Sequence, residues 1–337
     1  EQMASSTGVY GDYSSLDLLE GYAEIKMGSL AWLSVGRQPL VYDHQRLLAA
    51  RNWNQNGLAY DAVVLKLGLN QWDIHAGGSW NSTGFSVSDN LYPPDRIKSL
   101  NYLWASPVLD NKLNLSLLHI SSGVTETDST NTLHFRHTSG IYADYKSNGI
   151  KLRGNAYYQY GNSHSGTNVN AYLVDLDAGY KISNLTAGAG LSYLSGNDQI
   201  NGQTDHLFNL LYGARHRFFG HMDYFRNMTS HTNQGGMEDY YVYLNYSFSK
   251  SLSIKNTSHY FRLAQTNVNT PNTKDMGFEN ELSLDYQFAE WGEVESGYLF
   301  YLPTDAFRTL QGVNNSKPPQ FFYLEITLTP MLFQEKK

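Results

Sequence analysis

The chain has 337 residues, no cysteine and a formal charge of −7, and its charged residues (16%) barely outnumber its aromatics (14%, with 26 Tyr). Without cysteine there is no disulfide framework, thiol nucleophile or thiolate metal site, and the acidic balance argues against a nucleic-acid partner. No apolar run reaches the about 18 residues of a membrane-spanning helix, yet a charge-poor chain rich in Tyr and Gly suits a sheet with one face in lipid and the other in water.

The opening stretch, EQMASSTGVYGDYSS, has neither the basic start nor the apolar run of a secretory signal, so a processed or incomplete form is expected. Strands are then predicted at 15–26, 30–39, 57–69, 70–80, 97–107, 111–121, 133–146, 148–161, 169–181 and 184–195. Ile150, Leu152, Ala156, Tyr158 and Tyr160 alternate with Lys151, Arg153, Asn155, Tyr157 and Gln159, the period of two that a half-buried strand requires. Further strands are predicted at 237–249, 251–263, 277–289, 291–302 and 320–333, where alternation is cleanest. Phe278, Leu282, Leu284, Tyr286 and Phe288 oppose Glu279, Glu281, Ser283, Asp285 and Gln287. Near the end of the chain, Phe322, Leu324, Ile326 and Leu328 oppose Tyr323, Glu325, Thr327 and Thr329.

A soluble β-sandwich alternates too. Here, though, Tyr and Phe cap the apolar face near strand ends, as an interfacial girdle would. The strands also exceed the common five or six residues and suit a tilted membrane crossing. Tight turns are expected at Met27-Gly28-Ser29, Gly68-Leu69-Asn70, Leu109-Asp110, Lys146-Ser147, Ser183, Lys250 and Glu290. Long polar loops are expected near 40–56, 81–96, 122–132, 162–168, 196–236, 264–276 and 303–319. Short turns on the periplasmic side and long loops outside are the outer-membrane barrel rule. The expected fold is thus all-β, one transmembrane antiparallel up-and-down β-barrel over 1–337 with about 15 strands in this chain. An even strand count would place an odd number of strands ahead of Glu1.

Two segments go beyond barrel texture. One runs Gly36-Arg37-Gln38-Pro39-Leu40-Val41-Tyr42-Asp43-His44-Gln45-Arg46-Leu47, followed by Trp53-Asn54-Gln55-Asn56-Gly57 and Tyr60-Asp61-Ala62-Val63. The other runs Phe208-Asn209-Leu210-Leu211-Tyr212-Gly213-Ala214-Arg215-His216-Arg217-Phe218-Phe219-Gly220-His221-Met222-Asp223-Tyr224-Phe225. With the surrounding strand pattern, from about residue 15 onward, they resemble the alginate export family of outer-membrane barrels, in particular its Bacteroidetes-type members. Pro39 stands where an acidic residue is common in that family, and Ala214 where Thr is frequent. The resemblance implies eighteen strands in the complete barrel, hence three ahead of residue 1, and an arginine-lined path for an anionic polysaccharide. It does not fix the solute, because many members occur away from any alginate pathway.

The candidate constriction comprises Arg37, Arg46, Arg51, Arg215, Arg217 and Arg226, whose guanidinium groups would hold carboxylates or phosphates bidentately. Arg37 shares parity with Leu33 and Val35, so either the strand has left the membrane there or a bulge turns the side chain inward. The competing reading has these arginines pairing with Asp43, Asp61, Asp223 and Glu238 to pin loops to the wall. The inner wall is acidic: Glu20, Glu24, Asp73, Asp175, Asp177 and Glu325 join Glu279, Glu281, Asp285, Glu293 and Glu295 against Lys66, Lys151, Arg153 and Lys255. Such a wall disfavours a polyanion unless cations screen it.

Catalysis finds no support, since Ser258 and His259 are adjacent on a strand and point to opposite faces. No cofactor or metal is expected; His216 and His221 alone share a motif loop. The sequence therefore points to passive passage of a hydrophilic solute through the bacterial outer membrane, with an anionic oligo- or polysaccharide first. The second reading is an accessory barrel with a loop-plugged lumen inside a larger outer-membrane complex. Expected partners are membrane lipids, the solute, and other outer-membrane or periplasmic proteins.

Overall fold

The computed structural model describes residues 18–51, 57–80, 97–126, 132–198, 202–266, 268–315 and 317–331. Among the described residues, fifteen strands occupy the predicted stretches. They begin with β1 (Gly21–Lys26), β2 (Ala31–Gln38), β3 (Tyr60–Leu69), β4 (Trp72–Trp80), β5 (Ile97–Pro107) and β6 (Leu113–Thr125). Then come β7 (Leu133–Ser147), β8 (Ile150–Asn162), β9 (Asn168–Ile182), β10 (Leu185–Leu194) and the two-residue β11 (Thr204–Asp205). Beyond the second motif lie β12 (Met237–Ser247), β13 (Leu252–Arg262), β14 (Asp275–Ala289), β15 (Gly292–Pro303) and β16 (Gln320–Leu328). Two short helices, α1 (Met228–His231) and α2 (Asp305–Gln311), sit in long loops. Hydrogen-bonded order follows chain order, with β11 set aside in parallel against β9.

Differences from expectation have local causes. β6 runs on to Thr125, into the stretch expected to be loop. β16 stops at Leu328, two residues before Pro330, which has no N–H to continue a ladder. The turn expected at Lys146-Ser147 lies two residues later, at Asn148 (φ 50°) and Gly149 (φ 83°). Both φ values are positive, as a two-residue hairpin turn with the strands' own twist demands, and Asn-Gly is its usual sequence. The loop expected at 81–96 and the Trp53–Asn56 part of the first motif fall outside the described residues.

The strands form two compact units. The first comprises Glu1–Asp144, Gly154–Val174 and Ile200–Arg215. On one face of its sheet Tyr60, Val64, Leu100, Tyr102, Leu118 and Ile120 are buried, covered by loop segments; Val35, Val63, Leu103 and Leu117 on the other face are exposed. The second comprises Tyr145–Arg153, Asp175–Gln199 and His216–Lys337. Here the pattern of a soluble protein is inverted: Asp239, Glu279 and Glu281 are buried while Val242 (58% exposed), Leu244 (52%) and Leu324 (61%) are bare. Apolar area this continuous does not persist in water, and a sandwich would have hidden it between its sheets. Hydrocarbon is the environment in which it is stable.

Candidate pore-lining site

In the first unit the two motif stretches meet. Tyr212 N–H donates to Leu47 O (3.1 Å) and Ala214 N–H to Gln45 O (3.0 Å), and Leu48 and Tyr212 form a parallel bridge. Gly213 allows the approach, because a Cβ there would collide with Arg46 O. Leu40, Leu47, Leu48, Phe208, Leu210 and Leu211 of these segments are all buried.

The loop after β2 is fastened to the inner face by polar contacts. Asp43 Oδ1 accepts from Trp104 Nε1 (2.9 Å) and Ser116 Oγ (2.6 Å). The Tyr42 hydroxyl lies 2.8 Å from that of Tyr102 and 3.0 Å from His75 Nδ1. Burial pushes the Asp43 carboxyl above its usual range, against the lowering effect of the Ser116 and Trp104 bonds. Further along, Arg136 binds Asp205 (2.8 Å) and Gln159 (3.0 Å), while Gln159 exchanges two 2.8 Å bonds with the Asn209 backbone. These contacts hold the 205–209 stretch against β7 and β8.

In the second unit, the segment 216–226 lies on the polar face of β13 and β14. His221 N–H donates to Glu281 Oε1 (2.7 Å) and Met222 N–H to Glu279 Oε1 (3.0 Å). The His221 ring pairs with the same Glu281 through Nδ1 at 2.8 Å. Behind it, His259 Nε2 stands 3.8 Å from Glu281 and His259 Nδ1 2.9 Å from Asp239. The result is an alternating run of carboxylate and imidazole, Asp239–His259–Glu281–His221, that passes from wall to loop. Gly220 fits over Glu279 because a Cβ would come within 2.6 Å of its carboxylate. Phe225 packs on Phe261 (4.7 Å) and Tyr224 on Tyr301 (4.9 Å). His231, in α1, is held below its usual pKa by burial first and Arg226 second.

The six arginines occupy three different environments. Arg37 stays on the face of Val35 and pairs bidentately with Asp61 of β3 (2.9 and 2.8 Å). The register from Gly21↔Arg37 to Lys26↔Trp32 is unshifted, so no bulge turns it inward. Arg37 thus forms an ion pair at a strand end. Arg46 is buried (2% exposed). Arg51 donates to Gly213 O (3.2 Å) and Arg215 to Leu211 O (3.2 Å), so both brace the motif core. Arg217 and Arg226 are exposed, the latter 3.8 Å from Asp223.

Of the acidic wall, Glu279 and Glu281 are loop anchors. Asp285, Glu295 and Glu325 stand directly opposite one another on adjacent strands, and Glu293 lies between Gln287 and Thr327. Arg136 and Asp239 were not singled out from sequence, and His259 was weighed only against Ser258, although their parity places all three on polar faces. Ser258 bonds to Asn280 (2.8 Å) on the side away from His259. Among the described residues no three His, Asp or Glu are grouped to hold a metal ion.

These features define a bacterial outer-membrane β-barrel, and solved structures agree. The chain is similar in fold to Acinetobacter baumannii OccAB4 (TM-score 0.56, 14% identity, covering 88% of this chain and 72% of that one). It is similar also to Pseudomonas aeruginosa OccK5 (OpdH) (0.57, 13%, 92% and 81%) and to the outer membrane protein opdK of Pseudomonas aeruginosa (0.55, 13%, 91% and 78%). Residues 3–80 match the family described as alginate export, a span that includes the first motif. No curated protein matches the chain by sequence.

Proposed function

We propose that the protein is a passive channel, a single barrel domain that lets a hydrophilic solute cross the outer membrane past inward-folded loops. The inverted burial carries this reading: the polar face is roofed by loop segments and the apolar face is bare. A wall built that way separates lipid from a watery interior. An alginate-type anionic saccharide is the solute that the family match at 3–80 brings forward. Arg217 and Arg226, both exposed, are the groups suited to draw it in, whereas Arg46, Arg51 and Arg215 serve loop architecture. Lipids of the membrane and the solute are the partners this reading requires, and no catalytic step enters it.

Planar-bilayer conductance of the full chain tests the proposal. Steady channels, with selectivity shifted toward cations in the double variant Arg217→Glu/Arg226→Glu, are the expected result. The extent of loop docking favours a second reading, an accessory barrel of a larger complex whose lumen is plugged. Silence in the bilayer from correctly folded protein would decide for that one.

A further inference from the structure

The polar face of β14–β16 carries an aromatic strip beside the docked 216–226 segment. Phe321 stands opposite Leu299 in the register and shares its side with Tyr323 and Glu325. It is exposed, as is most of this edge strand, and it lies on the side that carries the carboxylates. Its ring and that of Tyr323 are nearly parallel, 26° apart with centroids separated by 6.1 Å. Tyr323 is held flat, because its ring covers Gly297, directly opposite, and its hydroxyl donates to Glu295. An aromatic laid over a cross-strand glycine is a rigid arrangement. The two rings form a fixed strip rather than two mobile side chains.

This strip borders a cavity of about 730 Å³ lined also by Lys255, Thr257, Ser283 and Asp285 and by His216, His221 and Glu281 of the docked loop and its anchor. With Glu281 paired to the His221 ring, the row Asp285, Glu295 and Glu325 outnumbers Lys255 and leaves the cavity negative. Flat aromatic area beside paired carboxylate acceptors and small hydroxyls matches the two chemistries of a pyranose. Its C–H face lies on the rings while its hydroxyls donate to the carboxylates. A uronate would bring its own carboxylate among like charges, which disfavours it. An amino group would be welcomed by the same carboxylates and by the ring faces.

We propose that this cavity is a saccharide subsite for pyranose units bearing hydroxyl or amino groups and no carboxylate. Its place on a transport path rests on the channel reading and would set that path against the alginate-type solute brought forward above; binding itself depends on neither. Calorimetry on the full chain in detergent, with maltohexaose, a chitosan hexamer and an oligouronate of equal length as probes, tests it. The first two should bind, the aminated one more tightly, and the oligouronate should not. Phe321→Ala should weaken both by roughly tenfold, the effect of losing one stacked ring. Glu325→Gln should weaken the chitosan hexamer alone, which separates the charge contribution from any damage to the strip. Absence of binding by both neutral and aminated probes overturns the proposal. So does oligouronate binding of equal strength, or a Phe321→Ala protein that binds like the parent. Conductance of the same preparation reports separately on the channel, so either idea falls without the other.

Discussion

Replacing Glu281 by Gln tests how the 216–226 segment is fastened. The carboxylate is 7% exposed and accepts from the His221 backbone at 2.7 Å, while pairing with the His221 ring at 2.8 Å and approaching His259 at 3.8 Å. A hydrogen bond to a charged group contributes about 1.5–3 kcal/mol. Glutamine keeps one acceptor oxygen for the backbone N–H but loses the charge and turns an amide donor toward an imidazole. About 2–3 kcal/mol of segment docking should be lost, so local opening becomes roughly 30- to 150-fold more frequent. Hydrogen exchange at the His221 amide reads this directly. Met222, bonded at 3.0 Å to Glu279 instead, should lose protection in parallel if the segment opens as a unit. Unchanged exchange at His221 would show that the aromatic contacts of Tyr224 and Phe225 hold the segment by themselves, and would refute the electrostatic account.

Three further outcomes follow from the same geometry. Asp43→Asn keeps both bonds from Trp104 and Ser116 on one oxygen and removes a buried charge, and Asn tolerates the φ of 53° as Asp does. Because the folded-state pKa of Asp43 is raised by burial, the native 40–51 segment is penalised at neutral pH and relieved as acid protonates it. The variant should therefore show stronger protection at pH 7, an advantage that vanishes as pH falls below the unfolded carboxylate value of about 4; a pH-independent difference would contradict this. Gly36→Ala should depress folded yield sharply in a gel-shift refolding assay, since φ is +127° and a Cβ would meet Gly21 O at 2.5 Å, a strain of about 1–3 kcal/mol or more. Arg136→Ala should expose the 202–214 stretch to protease, because the bonds to Asp205 and Gln159 together hold it by about 2–4 kcal/mol; unaltered cleavage would refute the role given to Arg136.

The strands were legible because a half-lipid wall repeats one local rule, alternate side chains in alternate solvents, over every crossing. The same rule placed Glu279, Glu281 and Asp285 on the polar face and Arg37 on the apolar one. The destinations of the loop arginines were not legible. Arg46, Arg51 and Arg215 are fixed by the meeting of Gln45–Leu48 with Tyr212–Ala214, more than 160 positions apart, and no local periodicity announces such a contact. Arg136 and Asp239 could have been found, since each sits on a polar face. Nothing in strand parity, however, distinguishes a wall residue that meets a loop from one that meets water.

That difference has a physical basis which the two units share. In a soluble domain a loop docks by covering apolar surface, and its polar groups are left to solvent. On the inner side of a lipid-embedded wall apolar packing, as of Phe225 on Phe261 and Tyr224 on Tyr301, is joined by hydrogen bonds and ion pairs that fix where the loop sits. Asp43 and Gln159 serve in one unit, Glu279 and Glu281 in the other. Groups of that kind are directional and titratable, so each segment has few allowed seats and a hold that depends on charge. Substitutions that change charge on the polar face should therefore alter loop opening while leaving the strand ladder intact. Substitutions on the apolar face should weaken insertion and leave the loops in their seats.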